Sequence, residues 1–205
     1  MEIVRLISKS DELTCWIYTT LQNLEVQGDI RSRCALGCLD IALEHREALV
    51  LLISKRMYGS ALTLMRSIFE SYVRGVWLHR CAEESEIEAF INDRFDKAFN
   101  DLIQAIENVE GFELGILSDL KKQGWKAMNS YTHSGFQHVI RRMKADTLEP
   151  NYDEGEIREA LDCANALGLL SVLQMASLST NSQLPMSILE KTRLFIEGSN
   201  TEGVV

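Results

Sequence analysis

Proline and long apolar runs are both scarce in this chain. The first shortage favours long helices, and the second argues against a membrane-spanning protein. Only Pro150 and Pro185 occur among the 205 residues, so long helices can form without interruption. The longest apolar run, residues 48–53, is far shorter than the roughly 20 residues that a membrane-spanning helix needs. Residues 1–14 carry acids where a signal peptide would have its apolar segment. We therefore expect a cytoplasmic protein that does not cross a membrane.

The chain also lacks paired cysteines and the motifs of the common enzyme classes. Its five cysteines are odd in number and form no Cys-x-x-Cys pair, which favours reduced core thiols over disulfides. Cys34 and Cys38 share a helix face, but no other metal-ligand spacing accompanies them. The motifs of zinc proteases, nucleotide-phosphate loops, dinucleotide folds, nucleophile elbows and di-iron bundles are all missing. We expect neither a metal nor another cofactor.

Positive charge is in the minority, because the formal net charge is -9 at pH 7. An acidic surface repels the phosphate backbone that supplies most non-specific nucleic-acid affinity. The composition, 46% hydrophobic and 25% charged, is otherwise that of an ordinary globular protein. The basic residues form three short clusters, which we interpret as solvated helix faces: Arg31/Arg33, Lys121/Lys122/Lys126 and Arg141/Arg142/Lys144.

Apolar residues recur at helical spacing along nearly the whole chain, and no alternating strand pattern competes. The pattern predicts an all-α, single-domain bundle of seven or eight helices over residues 1–197, followed by a flexible tail over 198–205. Helices over about 30–56 and 59–82 are joined so tightly that they form an antiparallel hairpin. A capping box formed by Ser85 and Glu88 predicts the start of a fourth helix, ending near Glu110.

The third predicted helix carries an organised row of charges. Arg66, Glu70 and Arg74 follow one another at four-residue intervals in a helix that is apolar almost all the way round, so their side chains stand above one another. Charged groups in such a place must be paired or reach a cavity, because an isolated buried charge is costly. The row can be a structural clamp or part of a site, and the spacing alone leaves both interpretations open.

Two segments, RSIFESYVRGVWLH at 66–79 and WKAMNSYTHSGFQHVIRR at 125–142, together resemble a group of uncharacterised bacterial helical proteins. In that group an Arg-x-x-x-Glu helix precedes a Tyr-x-His-x-Gly segment. The resemblance covers about residues 49–170, and it implies an all-α fold in which Arg66, Glu70, Tyr131 and His133 approach one another. We therefore hypothesise a binding or interaction protein with a pocket lined by these four residues. We expect a homodimer through the apolar central helices.

A second resemblance is to HEPN domains, helical bundles that often dimerise and include ribonucleases with an Arg-x4-6-His motif. Arg74 and His79 have the minimum spacing. This resemblance implies the alternative function of a metal-independent ribonuclease with an RNA substrate. Arg74 would stabilise phosphate charge, and His79 would act as general acid or base in attack by the ribose 2'-hydroxyl. Positions five apart lie about 140° around a regular helix, so the match needs a helix that loosens near Leu78. Whether the protein is an enzyme stays open.

Overall fold

The computed structural model describes residues 2–22, 24–26, 28–181 and 183–200. The chain is 74% helical, and this described part contains nine helices, eight of them of seven or more residues, and no strand. The prediction of an all-α bundle is confirmed. The helices are α1 Glu2–Leu21, α2 Ile30–Ser54, α3 Tyr58–Arg80, α4 Glu84–Ile91, α5 Phe99–Glu107, α6 Ile116–Thr132, α7 Phe136–Ile140, α8 Glu154–Ser177 and α9 Leu184–Asn200. Of the predicted tail, residues 201–205 lie outside the described residues.

Helix α3 is the central element. It packs along α2 over most of its length and also contacts α5, α6 and α8, with Phe69 and Trp77 fully buried. Only glycine fits at position 75, since a β-carbon there would lie 2.7 Å from Leu39 Cγ of α2. The apolar circumference of α3, from which the dimer was predicted, is therefore covered by the chain's own helices. The dimer itself stays a prediction.

A buried arginine that the sequence pattern did not single out ties α1, α2 and α8 together. Arg46 of α2 is 1% exposed. Its Nε and Nη2 donate to Asn165 Oδ1 at 3.1 and 2.6 Å, and Nη2 also donates to the Ser10 carbonyl at 2.6 Å. Nη1 donates to the Thr14 hydroxyl. Burial lowers the pKa of Arg46 to about 10, with Asp11 and Glu47 acting in the opposite direction.

The fourth helix begins earlier than predicted. The side chain that caps it is Glu86, whose carboxylate accepts a hydrogen bond from the Glu83 N–H at 2.9 Å, and the helix starts at Glu84. The predicted box of Ser85 and Glu88 is therefore wrong. A run of four acids, residues 83, 84, 86 and 88, offers several carboxylates to the same helix start, and spacing alone did not select the right one.

The predicted helix reaching Glu110 is wrong as well, because residues 92–98 separate α4 from α5. Asp93 adopts a left-handed conformation with φ 53° and ends α4, a role that Asp and Asn fill more readily than other non-glycine residues. The break lets Phe95 fold back onto Trp77 and Phe90, with ring centroids 5.0 and 6.0 Å apart. Aromatic packing thus accounts for the interruption.

Helix α8 is the one helix of the described part long and apolar enough to cross a membrane by length and composition. Of its most apolar window, 67% is buried inside the bundle against the other helices, as in the core helix of a soluble protein. The helix begins at Glu154, where the Asp153 carboxylate accepts from the Gly155 N–H at 2.8 Å. Asp153 is thus the N-cap of α8.

Candidate functional site

Three of the four residues predicted to line a pocket meet at the contact between α3 and the end of α6. Arg66 Nε donates to Glu70 Oε1 at 2.8 Å, and Arg66 Nη1 lies 2.8 Å from His133 Nε2. The guanidinium also lies over the Trp125 ring, 5.0 Å from its centroid. The side chains of Arg66 and Glu70 are each 25% exposed. We name Arg66, Glu70 and His133 the Arg66 cluster; its donors and acceptors largely satisfy one another.

The fourth predicted residue, Tyr131, points to a different set of partners. Its hydroxyl donates to Glu156 Oε1 of α8 at 2.5 Å, and Arg141 Nε donates to the other oxygen of that carboxylate at 2.8 Å. Burial, followed by the neighbouring Glu156, raises the pKa of Tyr131. Tyr131 and His133 are two residues apart, so a helical backbone directs their side chains to different sides. The prediction that all four approach one another holds for three.

The two residues of the ribonuclease alternative lie on one unbroken helix. Helix α3 continues to Arg80 without loosening at Leu78. Arg74 acts on the pKa of Cys38 in α2, whereas His79 is influenced by Gln174 of α8. Positions five apart in this regular helix point about 140° away from each other, so the two side chains leave α3 on different sides. Burial, followed by the adjacent Arg80, lowers the pKa of His79.

A cavity of about 660 Å³ opens at the start of α3, beside the Tyr131–Gly135 segment. We call it the α3 pocket. It is lined by Arg56, Met57, Gly59, Ser60, Thr63, Ser134, His138, Val139, Arg142 and Pro150. Two arginines, a histidine and three hydroxyls thus face the cavity, and none of the described residues that line it carries a carboxylate. In a chain of net charge -9, this is a local concentration of hydrogen-bond donors and positive charge.

The start of α3 adds donors to the same cavity. The first intrahelical bond runs from the Ala61 N–H to the Met57 carbonyl at 3.0 Å, so the N–H groups of residues 58–60 have no partner within the helix. No side chain caps this end, and its first turn contains no acid. A helix start of this kind carries partial positive charge. The start of α3 therefore adds its partial positive charge to the charges of Arg56 and Arg142.

Gly59 lets two polar side chains approach the start of α3. A β-carbon at this position would lie 2.6 Å from the Tyr152 hydroxyl oxygen and 2.8 Å from His138 Nε2. His138 Nδ1 lies 3.0 Å from the Tyr131 carbonyl, which can only accept, so Nδ1 carries the hydrogen. The Tyr152 hydroxyl is buried without a hydrogen-bond partner in the described part of the chain. The side chains of His138 and Tyr152 therefore both pack against the backbone of Gly59.

Strained backbone occurs on two sides of the α3 pocket. Arg56 and Ser134 adopt left-handed conformations, with φ 58° and 51°, and such residues concentrate at functional sites. The sequence pattern singled out neither Arg56 nor His138, and Arg142 was expected on a solvated helix face. Sequence spacing could not show that Arg56 and Arg142 line the same cavity, because they are 86 positions apart in the chain.

Two other cavities have volumes of about 570 Å³. One lies between α1 and α2 and mixes Arg46 with the carboxylates of Asp40, Glu44 and Glu47. The other lies beside α6 and is lined by Lys121, Lys122 and Lys126, together with Trp125, Asn100, Ile103, Gln104, Ser118 and Asn129. No group of three or more His, Cys, Asp or Glu side chains that could hold a metal occurs among the described residues.

Comparison with known proteins gives one match. No curated protein and no solved structure matches this chain. A family model described as a family of unknown function, DUF6988, matches residues 39–197. This range includes every residue of the α3 pocket and of the Arg66 cluster, whereas α1 lies outside it. The chain is therefore a member of DUF6988, an uncharacterised family.

Proposed function

We propose that this protein binds a small ligand through an oxyanion group, phosphate or carboxylate, in the α3 pocket. The observation that carries the proposal is the composition of the pocket wall: among the described lining residues, Arg56 and Arg142 have no carboxylate opposite them. Arginine forms bidentate, charge-assisted hydrogen bonds with both groups, and the free N–H groups at the start of α3 are suited to the same anion. The cavity volume of about 660 Å³ fits a metabolite-sized ligand.

The residues predicted from the sequence take a supporting role in this proposal. The Arg66 cluster fixes His133, and Tyr131 is held by Glu156 and by its carbonyl contact with His138. Together they hold the turn that presents Ser134 to the cavity. Contacts to the ligand come instead from Arg56, Arg142 and the N–H groups at the start of α3, with His138 held beside them by the Tyr131 carbonyl.

The proposal includes a cytoplasmic location. All five cysteines are free thiols, as is usual in a reducing compartment. Phosphorylated and carboxylated metabolites are the class of ligand that the pocket would meet there. A reaction is not part of the proposal, because the pocket presents donors and a histidine without a paired nucleophile.

Isothermal titration calorimetry tests the proposal, with inorganic phosphate and citrate as separate probes. The test variant combines Arg56→Asn and Arg142→Gln. Asparagine is chosen at position 56 because it tolerates the left-handed backbone. Each charge-assisted interaction is worth about 1.5–3 kcal/mol, so the double variant should bind at least about 100-fold more weakly.

The matched control is Arg33→Gln, which removes one exposed positive charge of α2 outside the pocket. It should bind the probe as the parent does. Equal losses in the control and the test variant would mean that general electrostatic attraction, rather than the pocket, holds the anion. The absence of any heat with both probes up to about 10 mM would contradict the proposed function; affinity at that limit corresponds to only about 3 kcal/mol.

A further inference from the structure

An exposed apolar surface adjoins the α3 pocket. Phe136, Val139, Ile140, Met143 and Leu148 are large, apolar and exposed, with Phe136 78% and Leu148 83% accessible. We name these five residues the α7 surface. Scattered single apolar side chains are ordinary on a protein, whereas a contiguous group of this kind marks an interaction site. The local backbone decides whether the five form one group.

The backbone places these side chains together. Phe136, Val139, Ile140 and Met143 follow helical spacing, and N–H bonds from Arg142 to Val139 and from Met143 to Ile140 continue the turn past the end of α7. Lys144 and Thr147 then exchange two backbone hydrogen bonds of 3.0 and 2.9 Å. Met143 and Leu148 flank that pair directly, so they lie opposite each other. The five side chains therefore form one continuous surface.

The charged residues around the α7 surface have both signs. Arg142 and Lys144 are exposed on one part of the segment, and Asp146 and Glu149 are exposed a few residues further on. In a two-fold symmetric contact the same surface of both copies meets, so each basic residue must find an acidic residue on the second copy. A surface that carries both basic and acidic residues meets this requirement. An anionic membrane would instead favour basic residues alone, and the net charge of -9 opposes it.

We propose that a second copy of this chain packs on the α7 surface in a two-fold symmetric dimer. Apolar side chains form the centre of the contact, and Lys144 pairs across its rim with Asp146 or Glu149 of the partner subunit, while Arg142 faces the α3 pocket. This assigns the interface to α7 rather than to the central helices, whose apolar residues are already covered within the chain.

The contact also has a consequence for the α3 pocket. Val139 and Arg142 belong both to the segment that forms the interface and to the wall of the cavity. A second copy seated on α7 therefore covers the open side of the pocket and excludes water from the bound anion. This consequence rests on the proposed function, whereas the interface itself does not.

Analytical ultracentrifugation of the full chain without ligand tests the interface. At about 10 μM the parent should sediment as a species with twice the 23.2 kDa mass of one chain. The variant Phe136→Asp with Leu148→Asp should sediment as a monomer with an unchanged far-UV circular dichroism spectrum. Both side chains are exposed, so the fold does not depend on them. The control is Leu114→Asp, because Leu114 is equally exposed at 81% and lies between α5 and α6; this variant should remain dimeric.

Two results would overturn the interface: a monomeric parent up to about 100 μM, well above the concentrations at which specific complexes form, or a double variant that still dimerises. A monomeric parent that binds vesicles of anionic phospholipid through Phe136 and Leu148 would identify a membrane as the occupant instead.

Titration of a neutral double variant, Phe136→Ser with Leu148→Ser, with inorganic phosphate tests the closure of the pocket separately, because this variant adds no negative charge beside the pocket. The affinity should fall about tenfold, since the monomer leaves the pocket open to water. Unchanged affinity in a monomeric variant would refute the closure while leaving the dimer intact. A parent that dimerises but binds no anion would contradict only the proposed function.

Discussion

Replacing Asn165 by leucine should destabilise the protein more than replacing Arg46 itself. Leucine leaves Arg46 Nε without an acceptor and leaves Nη2 with the Ser10 carbonyl alone. A hydrogen bond to a charged group is worth about 1.5–3 kcal/mol, so the two lost bonds should together cost about 3–5 kcal/mol, with Nη2 keeping its bond to the Ser10 carbonyl. A domain of this size loses about 2–4 °C of melting temperature per kcal/mol. The Asn165→Leu variant should therefore melt about 6–20 °C below the parent in differential scanning calorimetry.

Arg46→Met should cost less. Methionine retains the packing of the aliphatic stem against Gly168, and it removes the buried charge together with its cost of desolvation. The remaining penalty is the Asn165 oxygen left without a donor, which is worth about 1–3 kcal/mol. The Asn165 nitrogen keeps its bond to the Ser10 hydroxyl at 2.9 Å. The melting temperature should fall by about 2–12 °C.

The double variant, Arg46→Met with Asn165→Leu, decides whether the reasoning is right. It removes both sides of the interaction, so its stability should return to within about 1 kcal/mol of the parent. The coupling between the two sites would then be at least about 3 kcal/mol. Additive losses in the double variant, or an Asn165→Leu protein that melts within about 2 °C of the parent, would refute the reasoning that Asn165 compensates the buried charge.

Two further predictions concern α3. Glu70→Ala should cost about 0.5–1 kcal/mol in urea unfolding, because the pair with Arg66 is partly exposed and Arg66 keeps His133 and Trp125; a loss near 3 kcal/mol would contradict this. Burial lowers the pKa of His79 from 6.5, so the unfolded chain binds this proton more tightly and stability falls as pH drops below about 6.5. His79→Gln should flatten the melting temperature between about pH 5 and 7; an unchanged profile would assign the pH dependence to other groups.

The helical fold could be predicted because its evidence is local. Helical spacing and the near absence of proline act within a few turns, and the four-residue spacing of Arg66 and Glu70 is that of their observed pair. The contact of Arg66 with His133 was implied by the family resemblance, not by that spacing. The break at Asp93 was missed because its cause is the distant packing of Phe95 on Trp77.

The α3 pocket could not be predicted from the sequence. Its arginines lie in a turn after α2 and in a turn after α7, and only the folded chain places both beside the start of α3. Arg46 was missed for a related reason. Its neighbours His45 and Glu47 are less buried, and its partner Asn165 is 119 positions away, so no local pattern distinguishes it from a surface arginine.

The link between Arg46 and Asn165 also bears on the order of folding. Helices α2 and α3 are joined by three residues, 55–57, so their extensive contact closes only a short loop and can form early. Contacts between α2 and α8 require a loop of more than a hundred residues to close and should form after the rate-limiting step. The buried polar network then mainly lowers the rate of unfolding. Its loss should therefore raise the unfolding rate and leave the refolding rate nearly unchanged.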